Sequence, residues 1–137
     1  LNIKDQVVSL WLAKKLKEAG VNSPSLFNWR IWSDGSVDCA MCDEDDFDYR
    51  GTGNEVKEKI AAYMAPELME MLPHSTRLHE GQQYILSIHK SHLSDGYVVR
   101  YQRYRNGEIE ILQEFESKKL ADALAQALIW WRKKENE

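Results

Sequence analysis

An α+β domain is predicted, with a largely antiparallel sheet of about five strands carrying helices on one or both faces. Three observations predict it. Apolar residues recur at helical spacing at the two ends of the chain, two Asx-Gly dipeptides sit between β-branched and aromatic runs, and Tyr84, Leu86 and Ile88 alternate with period two. The predicted order is helix, two strands, helix, three strands, helix (α-ββ-α-βββ-α). A chain of 137 residues with 43% apolar content can bury one core, so a single domain over residues 1–137 is expected.

The elements follow in order. Residues 4–19 place Val8, Leu12, Leu16 and Ala19 on one helical face, widened by Val7 and Trp11. Gly20 stops that helix and Asn22-Ser23-Pro24-Ser25 forms a loop. Residues 29–32 and 37–41 flank Ser33-Asp34-Gly35-Ser36, which predicts a hairpin with a type I′ turn. After an acidic loop over 43–53, Thr52 and Glu55 have capping-box spacing, predicting a helix through Val56, Ile60 and Tyr63. Pro66 breaks it or starts a second short helix through Leu68, Met69 and Leu72, which Pro73 ends.

Residues 74–82 read as polar connection, followed by the strand at 84–88. Residues 97–105 and 108–115 flank Asn106-Gly107, the strongest hairpin signal in the chain. A two-residue loop sets Arg105 against Glu108, Arg103 against Glu110, Tyr104 against Ile109 and Val98 against Phe115. Apolar residues on both faces of this hairpin suggest helices on both sides. Ser117 is placed to cap a last helix, where Leu120, Leu124, Leu128 and Trp131 recur among alanines, and the tail from Arg132 is expected to fray.

Charge is uneven: residues 1–33 carry five basic and two acidic groups, 34–80 four and twelve, 81–137 nine and eight. The total of −4 argues against a dedicated duplex-DNA binder, which needs a basic stripe. No apolar run approaches the roughly 20 residues of a membrane helix and the first residues do not read as a signal peptide, so a cytoplasmic protein with no membrane partner is expected.

Two stretches, Ala-Pro-Glu-Leu-Met-Glu-Met-Leu-Pro at 65–73 and Leu-Ala-Asp-Ala-Leu-Ala-Gln-Ala-Leu-Ile-Trp-Trp at 120–131, resemble small phage and prophage proteins of unassigned function. Their fold is described as a phage helix-sheet-helix (ABA) sandwich. The resemblance spans about residues 61–131 and implies a short helix ending in Leu-Pro, several strands, then an alanine-rich closing helix. It carries no catalytic residues.

Candidate chemistry is sparse. Cys39-x-x-Cys42 with His89-x-x-His92 has the donors of a zinc site, but residues alternating along a strand point to opposite faces, so two reduced thiols and no metal are expected. The run Asp43, Glu44, Asp45, Asp46, Asp48 fails as a calcium loop because Arg50 and Lys57 stand at ligand positions. No phosphate-binding glycine loop or catalytic triad motif accompanies His74, His79, His89 or His92. Neither a cofactor nor an enzymatic activity is therefore expected. The expected function is that of a non-enzymatic phage or mobile-element accessory protein working by protein–protein contact, as a homodimer or with a host protein. Its contact surface would join Asp43, Asp45, Asp46 and Asp48, which steer basic partners, to whichever of Trp130 and Trp131 is exposed. These two lie about 100° apart on a helix and cannot both face inward. The alternatives are an unrecognised small enzyme, or single-stranded nucleic-acid binding through Tyr97, Arg100, Tyr101, Arg103, Tyr104 and Arg105, where rings and cations mix. Alternation splits that last set, with Tyr97, Tyr101, Arg103 and Arg105 on one face and Arg100 and Tyr104 on the other.

Overall fold

Every strand of the computed structural model, which describes residues 2–79 and 82–137 with the side chains of 77–79 excepted, runs antiparallel to its neighbours. The strands are β1 Phe27–Trp32, β2 Val37–Met41, β3 Val56–Ala61, β4 Ser75–His79, β5 Gln82–Lys90, β6 Tyr97–Arg105 and β7 Glu108–Ser117. They form a three-stranded sheet in the order β2-β1-β3 and a four-stranded sheet in the order β4-β5-β6-β7. Helices α1 Leu10–Glu18, α2 Ala65–Met71 and α3 Leu120–Glu135 complete an α+β fold. α1 packs on β3, α3 packs on β6 and β7, and α3 also meets α1 and α2. One cluster unites Leu12 and Leu16 of α1, Trp29 and Ile60 of the first sheet, Leu68 of α2, Val99 of the second sheet, and Leu124 and Leu128 of α3. Each such leucine contributes about 1.5–3 kcal/mol by leaving water. No described helix is long and apolar enough to cross a membrane.

The structure differs from the sequence expectation at several elements. The strands form two sheets instead of one. The expected helix through Val56 and Ile60 is β3: Ile60 enters the core opposite Trp29, and pairing with the central strand outweighs the helix propensity of its lysines and glutamate. Thr52 caps no helix, since its N–H and hydroxyl both donate to Asp48 Oδ2 at 2.8 Å. The polar stretch after Pro73 contains β4. At the N-terminus, residues 3–5 form a 3-10 turn, and α1 begins only at Leu10 because Val7 bridges Met64 and the Val8 N–H donates to the Tyr63 carbonyl. Ser117 belongs to β7, Lys119 holds the N-cap position of α3, and the helix continues through Arg132 to Glu135.

The two hairpins use different turns. At Asn106-Gly107 both residues have positive φ, 53° and 77°, as a type I′ turn requires. At Asp34-Gly35 only the glycine does, at 86°, and the Trp32 N–H donates to the Ser36 carbonyl. That is the three-residue loop with a left-handed glycine, not the expected type I′ turn. Around Asn106-Gly107 the pairs Arg105 with Glu108, Arg103 with Glu110 and Tyr104 with Ile109 are as expected. A bulge in β7 between Ile111 and Gln113 then shifts parity, so Phe115 lies opposite Val99 instead of Val98.

Candidate functional site

Arg30 projects from β1 on the face of the first sheet opposite Trp29. Its Nε and Nη2 donate to the two carboxylate oxygens of Asp38 at 2.9 and 2.6 Å, a bidentate pair. Its Nη1 reaches the Asp45 carbonyl at 3.2 Å and Asp46 Oδ1 at 3.4 Å. The guanidinium lies over the Trp32 ring, and Trp32 Nε1 donates to Asp38 Oδ1 at 3.1 Å. Asp46 also pairs with Lys59 of β3. The acidic loop is thus lashed across the outer face of the first sheet.

This placement inverts what the carboxylates were expected to do. Asp48 Oδ2 accepts the Thr52 hydroxyl and N–H and the Asn54 N–H, while Oδ1 accepts the Arg50 N–H. These bonds, the Thr52 hydroxyl foremost, hold its carboxyl below the ordinary range. The Lys59 bond does the same for Asp46, and the Arg30 bond for Asp38. Asp46 and Asp48 are therefore engaged within the chain, whereas Asp43 and Asp45 remain exposed. What the loop presents outward is Phe47 and Tyr49, 62% and 84% exposed and packed edge to face at 4.8 Å. Sequence reading passed over both, because single aromatics among carboxylates carry no periodic signal.

Trp130 and Trp131 are both half-buried. The Trp130 ring lies 5.8 Å from Tyr101, 6.0 Å from Phe115 and 6.4 Å from Trp131, which makes it part of the packing of α3 on the second sheet. The loop and the tryptophans belong to different sheets, and among the described residues no hydrogen bond, ion pair or ring contact joins them. The structure does not assemble them into one surface.

The tyrosine-arginine strand is likewise divided, as alternation predicts. Tyr101 is fully buried and its hydroxyl donates to the Pro73 carbonyl at 2.8 Å, with burial pushing its pKa up. Arg103 lies over the Tyr84 ring and donates to Glu110 at 2.6 Å. Arg100 donates to Gln102 and Glu114, and Tyr97 is half-buried. Only Tyr104 and Arg105 of the six are exposed, and they point to opposite faces.

The other face of this sheet is where the larger surface lies. Register puts Ile85 beside Gln102 and Gln102 beside Ile111, with Tyr104 beside Ile109 in the next row. Ile85, Tyr104, Ile109 and Ile111 are 50%, 72%, 46% and 44% exposed. They form an apolar patch over three strands, set around Gln102. The expectation that a helix covers this face is corrected: α3 packs on the Val99, Tyr101 and Phe115 side, leaving the Ile85, Tyr104, Ile109 and Ile111 end of the opposite side open.

Cys39 faces the core from β2, and burial pushes its thiol up to about 11. Cys42 is exposed beyond the strand, its S–H donating to the Ser25 carbonyl at 3.0 Å. Both are free thiols. His89 and His92 sit at the β5 end of the second sheet with ring centroids 6.2 Å apart, His74 is exposed before β4, and the side chain of His79 lies outside the described residues. Among the described residues no three His, Cys, Asp or Glu side chains gather as metal ligands. Comparison with family models, with curated proteins and with solved structures gives no match.

Proposed function

We propose that the chain is a non-enzymatic accessory protein, of the phage or mobile-element type implied by the resemblance over residues 61–131, that docks a protein partner on the open face of its second sheet. The observation that supports this reading is the patch of Ile85, Tyr104, Ile109 and Ile111 on three adjacent strands. A cluster of exposed apolar side chains on one face of a small domain is a mark of interaction. A central tyrosine flanked by isoleucines supplies the anchor area that protein interfaces use, with Arg100 and Glu114 on the same face as a polar rim of both signs. A nucleic-acid reading fits this surface less well, because Arg100, the cation of that rim, is bonded to Glu114.

A photoreactive residue at position 104 tests the proposal. It should give a defined protein adduct that disappears in the Ile85→Lys, Ile111→Lys variant and does not form when the same group replaces Lys14, exposed on α1. An adduct of twice the chain mass would identify a second copy as the partner. Adducts that survive the double substitution, or that form equally from position 14, would overturn the docking face.

A further inference from the structure

The helical side of the molecule carries a second feature, unrelated to the open sheet face. The Ser9 N–H at the start of α1 donates to Asp122 in the first turn of α3 at 2.7 Å, and the last turns of both helices line one groove of about 340 Å³. The two helices are therefore parallel, with their C-terminal ends side by side. Lys15 and Glu18 enter the groove from α1, and Ile129, Arg132, Lys133 and Asn136 from α3.

Three cations thus converge from two helices, and none of them has an ion-pair partner among the described residues. Lys15 makes only a contact over the Trp11 ring. The Nε of Arg132 is buried with no hydrogen-bond partner, a costly state for a charged donor. Glu18 is the one carboxylate lining the groove, so the side chains leave two net positive charges. Two helix C-termini together offset roughly one of these. The excess that remains is positive.

We propose that this groove binds a doubly charged oxyanion, a phosphate group carried either as free phosphate or as a small phosphomonoester. The guanidinium of Arg132 with Lys133 and Lys15 neutralises the anion's charge, and the Asn136 amide offers a further donor. The volume is at the lower end of that of small-ligand sites, roughly 300–1,000 Å³, and suits a phosphate with a short carbon skeleton.

Calorimetric titration at low ionic strength with inorganic phosphate, and separately with glycerol 3-phosphate, tests this. Saturable binding is expected for at least one of them, weakening as chloride rises. Tighter binding of glycerol 3-phosphate would identify the ester as the ligand form, and equal or tighter binding of phosphate the free anion. Arg132→Gln should weaken binding about tenfold or more, the loss expected for a charge-assisted hydrogen bond. Because that variant also alters packing at the end of α3, Glu18→Gln provides the opposite test: removing the groove's exposed carboxylate should tighten binding about threefold. No saturable heat up to about 10 mM of either compound, or isotherms unchanged by both substitutions, would overturn the site.

Discussion

Individual carboxylates in the middle of this chain act as internal fasteners, and that gives their titration a definite sign. Asp34, Asp38, Asp46 and Asp48 all have folded pKa values below the ordinary carboxyl value, Asp34 being held at about 2 chiefly by the Ser36 hydroxyl. A group depressed in the folded state adds stability above its unfolded pKa of about 3.9 and loses it as pH falls through the folded value. Urea midpoints should therefore be level from pH 7 to about 5 and fall between about pH 4 and 2. The fluorescence of Trp32, bonded to Asp38, should change over the same range. A midpoint that stays constant down to pH 2 would contradict the fastening role. Gly96 acts at the same scale by a different cause. A Cβ there would stand 2.5 Å from the Ser117 carbonyl oxygen and 3.0 Å from its carbon, both backbone atoms that cannot swing aside. Gly96→Ala should cost about 1–3 kcal/mol through forced displacement of β6 or β7, read as a lower urea midpoint.

Among the elements, the β6–β7 hairpin was the most legible because two independent signals agree on its register. Asn106-Gly107 sets a two-residue loop, and Arg103 and Arg105 meet Glu110 and Glu108 only in that register. Replacing Asn106-Gly107 by Ala-Ala forces two β-carbon residues to φ of 53° and 77° and should destabilise the domain by about 1–3 kcal/mol; an unchanged urea midpoint would mean the turn tolerates other geometry. Legibility ended four residues further on, at the β7 bulge, since nothing in Ile111-Leu112-Gln113 marks an extra residue. β3 was hidden for a different reason. Val56 and Ile60 satisfy helical spacing and strand alternation equally well, and the choice is made by Trp29 and Arg30 on a strand distant in sequence. β4 was missed because Ser75 and Thr76 read as loop residues until β5 pairs with them.

At the scale of the molecule, the candidate surfaces were the least legible part. The acidic loop was recognisable as a loop, but only the position of Arg30 reveals that Asp46 is bonded within the chain while Phe47 and Tyr49 turn out. The apolar patch of Ile85, Tyr104, Ile109 and Ile111 looked like a second buried face, since alternation reports which residues share a side and not what covers it. The same long-range contacts decide whether the two sheets behave as one body. Trp29 Nε1 donates to the Val8 carbonyl at 2.8 Å, Lys119 donates to the Val7 and Lys4 carbonyls at 2.8 and 3.0 Å, and Asp122 accepts the Ser9 N–H at 2.7 Å. The first sheet is thereby tied through the N-terminal segment to α3, and α3 is packed on the second sheet. The sheets should unfold together, so native-state hydrogen exchange should give the amides of Arg30 in β1 and Val99 in β6 the same opening free energy. Asp122→Ala strands the Ser9 N–H at the start of α1 and should lower both values equally, by about 1–3 kcal/mol. If β1 is lowered while β6 keeps its protection, the helical tie does not couple the two sheets and each stands on its own core.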